Sequence, residues 1–205
     1  MSFKSYFNLS EGLIKVPSNE INNYVDSHFN ELVSKIKETA KTGYENSIDD
    51  NLIVNGKEIP LVIVKKIPNS NAYMSVNLAK GDDIYLDATN ILELKTTQEK
   101  LKSFLKQSLI HEITHLLDKG AYKKPAISSN DDYSNYVNSE REFPALANEM
   151  IHKISQMSPK QKLDLINSFR FKTKIKDKDL SDFISYLTPK NKIKFIGLVT
   201  KNILK

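Results

Sequence analysis

The chain has 205 residues, 40% of them hydrophobic and 27% charged, a balance that fits one folded domain or one domain with a small appendage. It has no cysteine, which excludes a disulfide framework, a thiol nucleophile and thiolate-held zinc. The formal charge of +5 is unevenly spread: residues 171–205 carry nine lysines and three aspartates. Such a basic end fits an anionic partner, nucleic acid among them, or simply the lysine-rich face of a soluble protein.

No run approaches the ~20 apolar residues of a membrane span. The opening "MSFKSYFNLSEGLIKVPSNE" has no apolar stretch of signal-peptide length, so a cytoplasmic location is expected. Residues 1–17 read as a lead ending at Pro17. Ser18 is then expected to cap a helix over about 19–41, with Ile21, Val25, Phe29, Leu32, Val33 and Ile36 near helical spacing. In "NLIVNGKEIPLVIVKKIP" two β-branched runs flank Asn55-Gly56, the pair that favours a two-residue hairpin turn. "NAYMSVNLAK" alternates, with Ala72, Met74, Val76 and Leu78 on one side. Gly81-Asp82 turns into "DIYLD", a short strand at about 83–87.

A helix is expected from about Thr96 to Asp118, with Gly120 as its C-terminal cap. Residues 119–138 read as a polar loop, and another helix covers about 140–156. The last fifty residues read as helical, broken near Pro159, around 172–178 and at Pro189. In the last helix Ile193, Ile196, Leu198, Val199 and Ile203 are expected inward. A helix, a small sheet and then helices make the expected class α+β. The expected organisation is a lead (1–17), a core (18–158) and a helical, lysine-rich part packed on that core (159–205).

The stretch "SLIHEITHLLDKG" contains His111, Glu112 and His115 in the pattern H-E-x-x-H. On a helix, residues four apart share a face, about 6 Å from each other. His111 and His115 can therefore offer two imidazole nitrogens to one Zn2+ ion. Glu112 falls beside that ion and not onto it, placed as a general base for a water whose pKa zinc lowers to about 7. The competing reading is a pair of hydrogen-bonded core histidines. The apolar neighbours Leu105, Leu109, Ile110, Ile113 and Leu116 imply a buried turn, where three ionisable groups are costly unless paired or metal-bound.

Catalytic zinc usually keeps three protein ligands and one open position. Only His28 and His152 remain as further histidines, and Ala121 stands where a closely spaced third histidine would fall. A carboxylate from the following helix is the natural candidate. "HEITH" followed by "NSEREFPALANEM" resembles the gluzincin division of zinc metallopeptidases. In that group a glutamate on a downstream helix, often in an E-x-x-A pattern, is the third ligand. Glu142-Phe143-Pro144-Ala145 matches that pattern, and "EFPA" is similar to the ligand helix of the lethal factor peptidase domain and of the proline-proline endopeptidases. The resemblance covers about residues 72–155. It implies a zincin-like fold, zinc as cofactor, a protein or peptide as substrate, and a substrate strand held against a sheet edge, either "AYMSVNL" or "DIYLD".

Several assignments stay open at this point. Ser139-x-x-Glu142 is also a capping box, so Glu149 and Glu140 are alternative third ligands. Asp118, one turn after His115, is expected to orient a ligand imidazole. The resemblance implies that Tyr136, six residues before Glu142, donates to the oxyanion, with Tyr133 as the alternative. The rival to an endopeptidase is a catalytically silent zincin-fold binding protein or a virion-associated structural protein, since the opening residues look faintly like leaders of some phage proteins.

Overall fold

Helix α1, Ser18–Thr42, forms because Ile21, Val25, Phe29, Leu32 and Ile36 recur every three or four residues, and all five are buried. Ser18 is not its cap. Pro17 takes the capping position without a side-chain bond, and Ser18 enters the first turn. Gly43, at φ 80°, ends the helix and returns its amide to the Thr39 carbonyl, a left-handed cap that glycine adopts without strain. The computed structural model describes residues 14–48, 50–68, 70–76, 82–118 and 132–203. The expected Gly120 cap and Leu78 lie outside these residues, as does most of the lead, and Gly81 of the expected turn does too.

The chain divides into two compact units. One, residues 15–122, contains α1, six short strands and two further helices among its described residues. Strands β2 (Leu52–Val54) and β3 (Lys57–Ile59) form the expected hairpin, with Val54 opposite Lys57. Asn55 and Gly56 both have positive φ, 51° and 75°, as the twist-matched two-residue turn requires. The second β-branched run does not extend this hairpin. Pro60 lacks an N–H for the ladder, and β4 (Leu61–Val64) joins a different sheet.

That sheet is four-stranded and mixed. β1 (Asn46–Ser47) and β4 are antiparallel. β4 and β6 (Ile84–Asp87) are parallel, and β5 (Met74–Val76) runs antiparallel to β6 along the edge. Leu61, Ile63, Met74, Ile84 and Leu86 share one core with the inner face of α1.

Helix α2, Ala88–Glu93, has no counterpart among the expected elements, being too short to show a period. Its signal is Asp87. This residue is fully buried. Its Oδ1 accepts the Asn90 amide and its Oδ2 accepts the Ile67 amide, both at 2.8 Å. One carboxylate thus caps the helix and closes the preceding loop, satisfying two half-buried donors. Helix α3, Gln98–Leu117, follows from its Thr97 cap and agrees with the expected helix within two residues.

The second unit, residues 123–205 with Ile14, is helical throughout its described part. Here the reading of 119–138 as a loop is corrected. Tyr133–Asn138 is a helix, α4, started by Asp132, whose Oδ1 accepts the Ser134 amide at 2.8 Å. Residues 119–131 lie outside the described part. Helices α5 (Glu142–Ser155), α6 (Pro159–Phe171), α7 (Lys178–Tyr186) and α8 (Pro189–Ile203) break where the prolines and the polar 172–178 segment suggested.

Their core joins Phe143, Leu146, Leu165, Phe183, Phe195 and Val199. In α8 the inward stripe runs through Phe195, Leu198 and Val199, while Ile193 and Ile196 are only half-buried and the Ile203 side chain lies outside the described set. Asn138 ties the helix ends together: its Nδ2 donates to the Tyr186 carbonyl and its Oδ1 accepts the Thr188 amide.

With helices outweighing one small mixed sheet and a hairpin, the class is α+β. Among the described residues no helix is long and apolar enough to cross a membrane. Asp87→Ala should lower the unfolding free energy by about 1–2 kcal/mol, the cost of losing a helix cap and a second half-buried amide's partner. Urea unfolding monitored by circular dichroism measures it, and an unchanged midpoint would mean the two amides find other partners.

Candidate metal centre

Helix α3 carries the candidate site because its core side is fully occupied. Leu105, Leu109, Ile110 and Ile113 are each at most 1% exposed and belong to the core that also holds α1. At about 100° per residue, His111 and His115 fall together on the adjoining strip. His115 is buried and His111 half-buried. Their rings meet edge to face with centroids 4.9 Å apart, and their Nε2 atoms approach to 3.2 Å. Two neutral imidazoles cannot hold two lone pairs at that distance unless a proton or a cation lies between them.

Glu112 takes the neighbouring strip. Its Oε2 accepts the Val76 amide at 3.1 Å. Ser75 pairs with Tyr85 on the β6 side of β5, so Val76, one residue on, turns its N–H to the free edge of the sheet. Of the two strands the sequence left open, the one within "AYMSVNL" lies at an edge of the sheet and "DIYLD" does not. No other hydrogen bond from the protein reaches the Glu112 carboxylate among the described residues.

Glu142 is the first residue of α5 and is buried. Its amide donates to Ser139 Oγ at 3.0 Å, which is one half of the expected capping box. Pro144 sits in the first helical turn, where its missing N–H has no intrahelical partner to lose. The Glu142 carboxylate therefore stands at the positive end of the helix dipole. Its Oε1 lies 3.4 Å from the Arg141 Nε, a neighbour the motif reading did not flag.

Among the described residues, one group could hold a metal ion: His111, His115 and Glu142. Each offers one ligand atom, and these atoms all lie within 4.8 Å of one another. Two imidazole nitrogens and a carboxylate oxygen are a borderline donor set that suits zinc and other first-row divalent ions. Three protein ligands would leave a fourth position open.

The group of three does not include the other candidates. Glu140 is exposed and Glu149 half-buried, and neither joins the group of three. Tyr136 packs against the core of its own unit, and Tyr133 stacks on it at 6.2 Å while meeting Tyr186 edge-on at 4.9 Å. Burial and then the Glu149 charge push the Tyr133 phenol above its usual pKa. Asp118 caps the end of α3 with an extended backbone and is half-buried. His28 is engaged away from the group: it stacks on Tyr24 at 4.4 Å and pairs with Asp50 at 3.3 Å. His152 is buried in the last turn of α5.

Comparison of the chain with protein-family models, with curated proteins and with solved structures returned no match. The reading of the site therefore rests on its own chemistry.

Glu142→Ala should weaken divalent-metal binding by ~10-fold or more, while Glu149→Ala and Glu140→Ala leave it unchanged. Competition against a chromogenic chelator measures all three. Equal affinity in Glu142→Ala and wild type would remove Glu142 from the ligand set.

Proposed function

We propose that this protein is a zinc-dependent endopeptidase of the gluzincin type, built on a zincin-like fold and acting on a protein or peptide. The observation that carries the reading is the pairing of two features on one helical turn. His111, His115 and Glu142 form a group that could hold a metal, and Glu112, next to His111 on the helix, has one carboxylate oxygen anchored by the Val76 amide.

Zinc bound by such a set supplies Lewis acidity and brings the pKa of water to about 7. The protein's own part is acid–base chemistry. Glu112 takes a proton from the attacking water as its oxygen adds to the scissile carbonyl carbon, and it returns that proton to the amine as the C–N bond breaks. The products are a carboxylic acid and an amine, so hydrolysis needs no further reactant. The Val76 amide fixes the carboxylate during both transfers. Tyr136 is the proposed donor to the oxyanion, with Tyr133 as the alternative, and Asp118 the proposed partner of a ligand imidazole. A peptide pairing with the β5 edge would lie alongside α3, since that strand and that helix pack together.

Glu112→Gln keeps a similar shape but loses the base. It should retain wild-type zinc content by elemental analysis and lose hydrolysis of a denatured-protein substrate by at least ~100-fold. Retained cleavage in a contaminant-free preparation would sink the mechanism. Absence of zinc from wild-type protein, before and after titration, would leave a histidine pair that shares a proton, and the binding-protein reading would replace the enzyme.

A further inference from the structure

Helix α6 turns one face outward, and that face is not polar. Its successive residues at helical spacing are Lys160, Leu163, Asn167, Arg170 and Phe171, all exposed. Leu163 is 58% and Phe171 63% exposed, among the highest values for large apolar side chains in the described chain. They lie eight residues apart, about 12 Å along the axis. The core side of the same helix is already served by Leu165 and Phe169, so neither residue is needed to hold the unit together.

The charge around this pair has one sign. Arg170 lies over the Phe171 ring at 5.3 Å. Lys172 closes the helix in a left-handed conformation, which starts the exposed segment holding Lys174, Lys176 and Lys178. The nearby acids are neutralised from within: Asp164 pairs with Lys176 at 2.9 Å, and Asp177 and Asp179 both pair with Lys153. Among the described residues Lys160, Arg170, Lys172, Lys174 and Lys178 have no ion pair.

We propose that this face of α6, with the lysine segment after it, docks the protein peripherally on an anionic lipid bilayer. Leu163 and Phe171 enter the interface while the ammonium and guanidinium groups meet lipid phosphates. Apolar side chains and cations on one outward helix face match the two components of interfacial binding. Nucleic acid would use the cations but leave Leu163 with no role, since an aliphatic side chain neither stacks nor pairs with phosphate.

The test is flotation of the full chain with phosphatidylcholine vesicles and with vesicles that also contain phosphatidylglycerol. Wild type should float with the anionic vesicles only, and less so as salt rises. Leu163→Ser with Phe171→Ser, and separately Lys172→Glu with Lys174→Glu, should each reduce the bound fraction by ~10-fold or more at an unchanged thermal midpoint. No flotation of wild type would overturn the proposal. So would flotation unaffected by the double serine variant, which would mean the cations act alone. Salt-sensitive retention on duplex DNA without vesicle binding would reassign the face to nucleic acid.

Discussion

Two imidazole nitrogens 3.2 Å apart on a partly buried helical turn set the terms for the rest of this molecule. Such an approach is repulsive between lone pairs and stable only around a shared proton or cation. Holding it requires a helix that cannot rotate. Four apolar residues of α3 are packed to within 1% of complete burial, which fixes the rotation of the helix and hence the direction of both rings. Leu109 and Ile113 bracket the first histidine at the same spacing that separates the two histidines. The core period and the ligand period are the same, so the packing of α3 positions its chemistry.

That shared period explains why the centre of the site was legible in the sequence. His111, Glu112 and His115 belong to one regular element, and their relation follows from helix geometry alone. Glu142 was legible in a weaker way, through the composition of its helix start. Ser139 and Pro144 both mark a helix beginning, and a carboxylate in the first turn can serve the cap, the dipole or a metal. The local sequence does not choose among these uses. Only coordinates bring its oxygen into one group with the two imidazoles.

The fold was legible where residues repeat a pattern and obscure where one residue does the work. The five inward residues of α1 and the Asn55-Gly56 turn announce themselves, by periodicity and by the need for two positive φ angles. Helices α2 and α4 span only six residues each, less than two turns, so neither shows a period. Each is set by one aspartate cap, Asp87 or Asp132, and an aspartate in a polar stretch reads equally well as loop. The β-branched run after Pro60 was open to the same confusion. Its composition says strand, but its partner is β6, more than twenty residues on, and no local pattern encodes a parallel pairing at that range.

The anchoring of Glu112 was not readable from the motif, because its partner is a backbone amide. H-E-x-x-H names the side chains and is silent about what holds the glutamate. The Val76 N–H is available only because β5 is at the sheet edge and because the register with β6 turns alternate amides outward. A one-residue slip of β5 would aim the Val76 amide at β6 and remove the donor without altering any side chain of the motif. The buried faces of Met74 and Val76 oppose such a slip, since it would expose both. Strand register, set by two apolar residues, thus determines whether the glutamate is oriented or loose, and the sheet contributes to the site through its hydrophobic pattern.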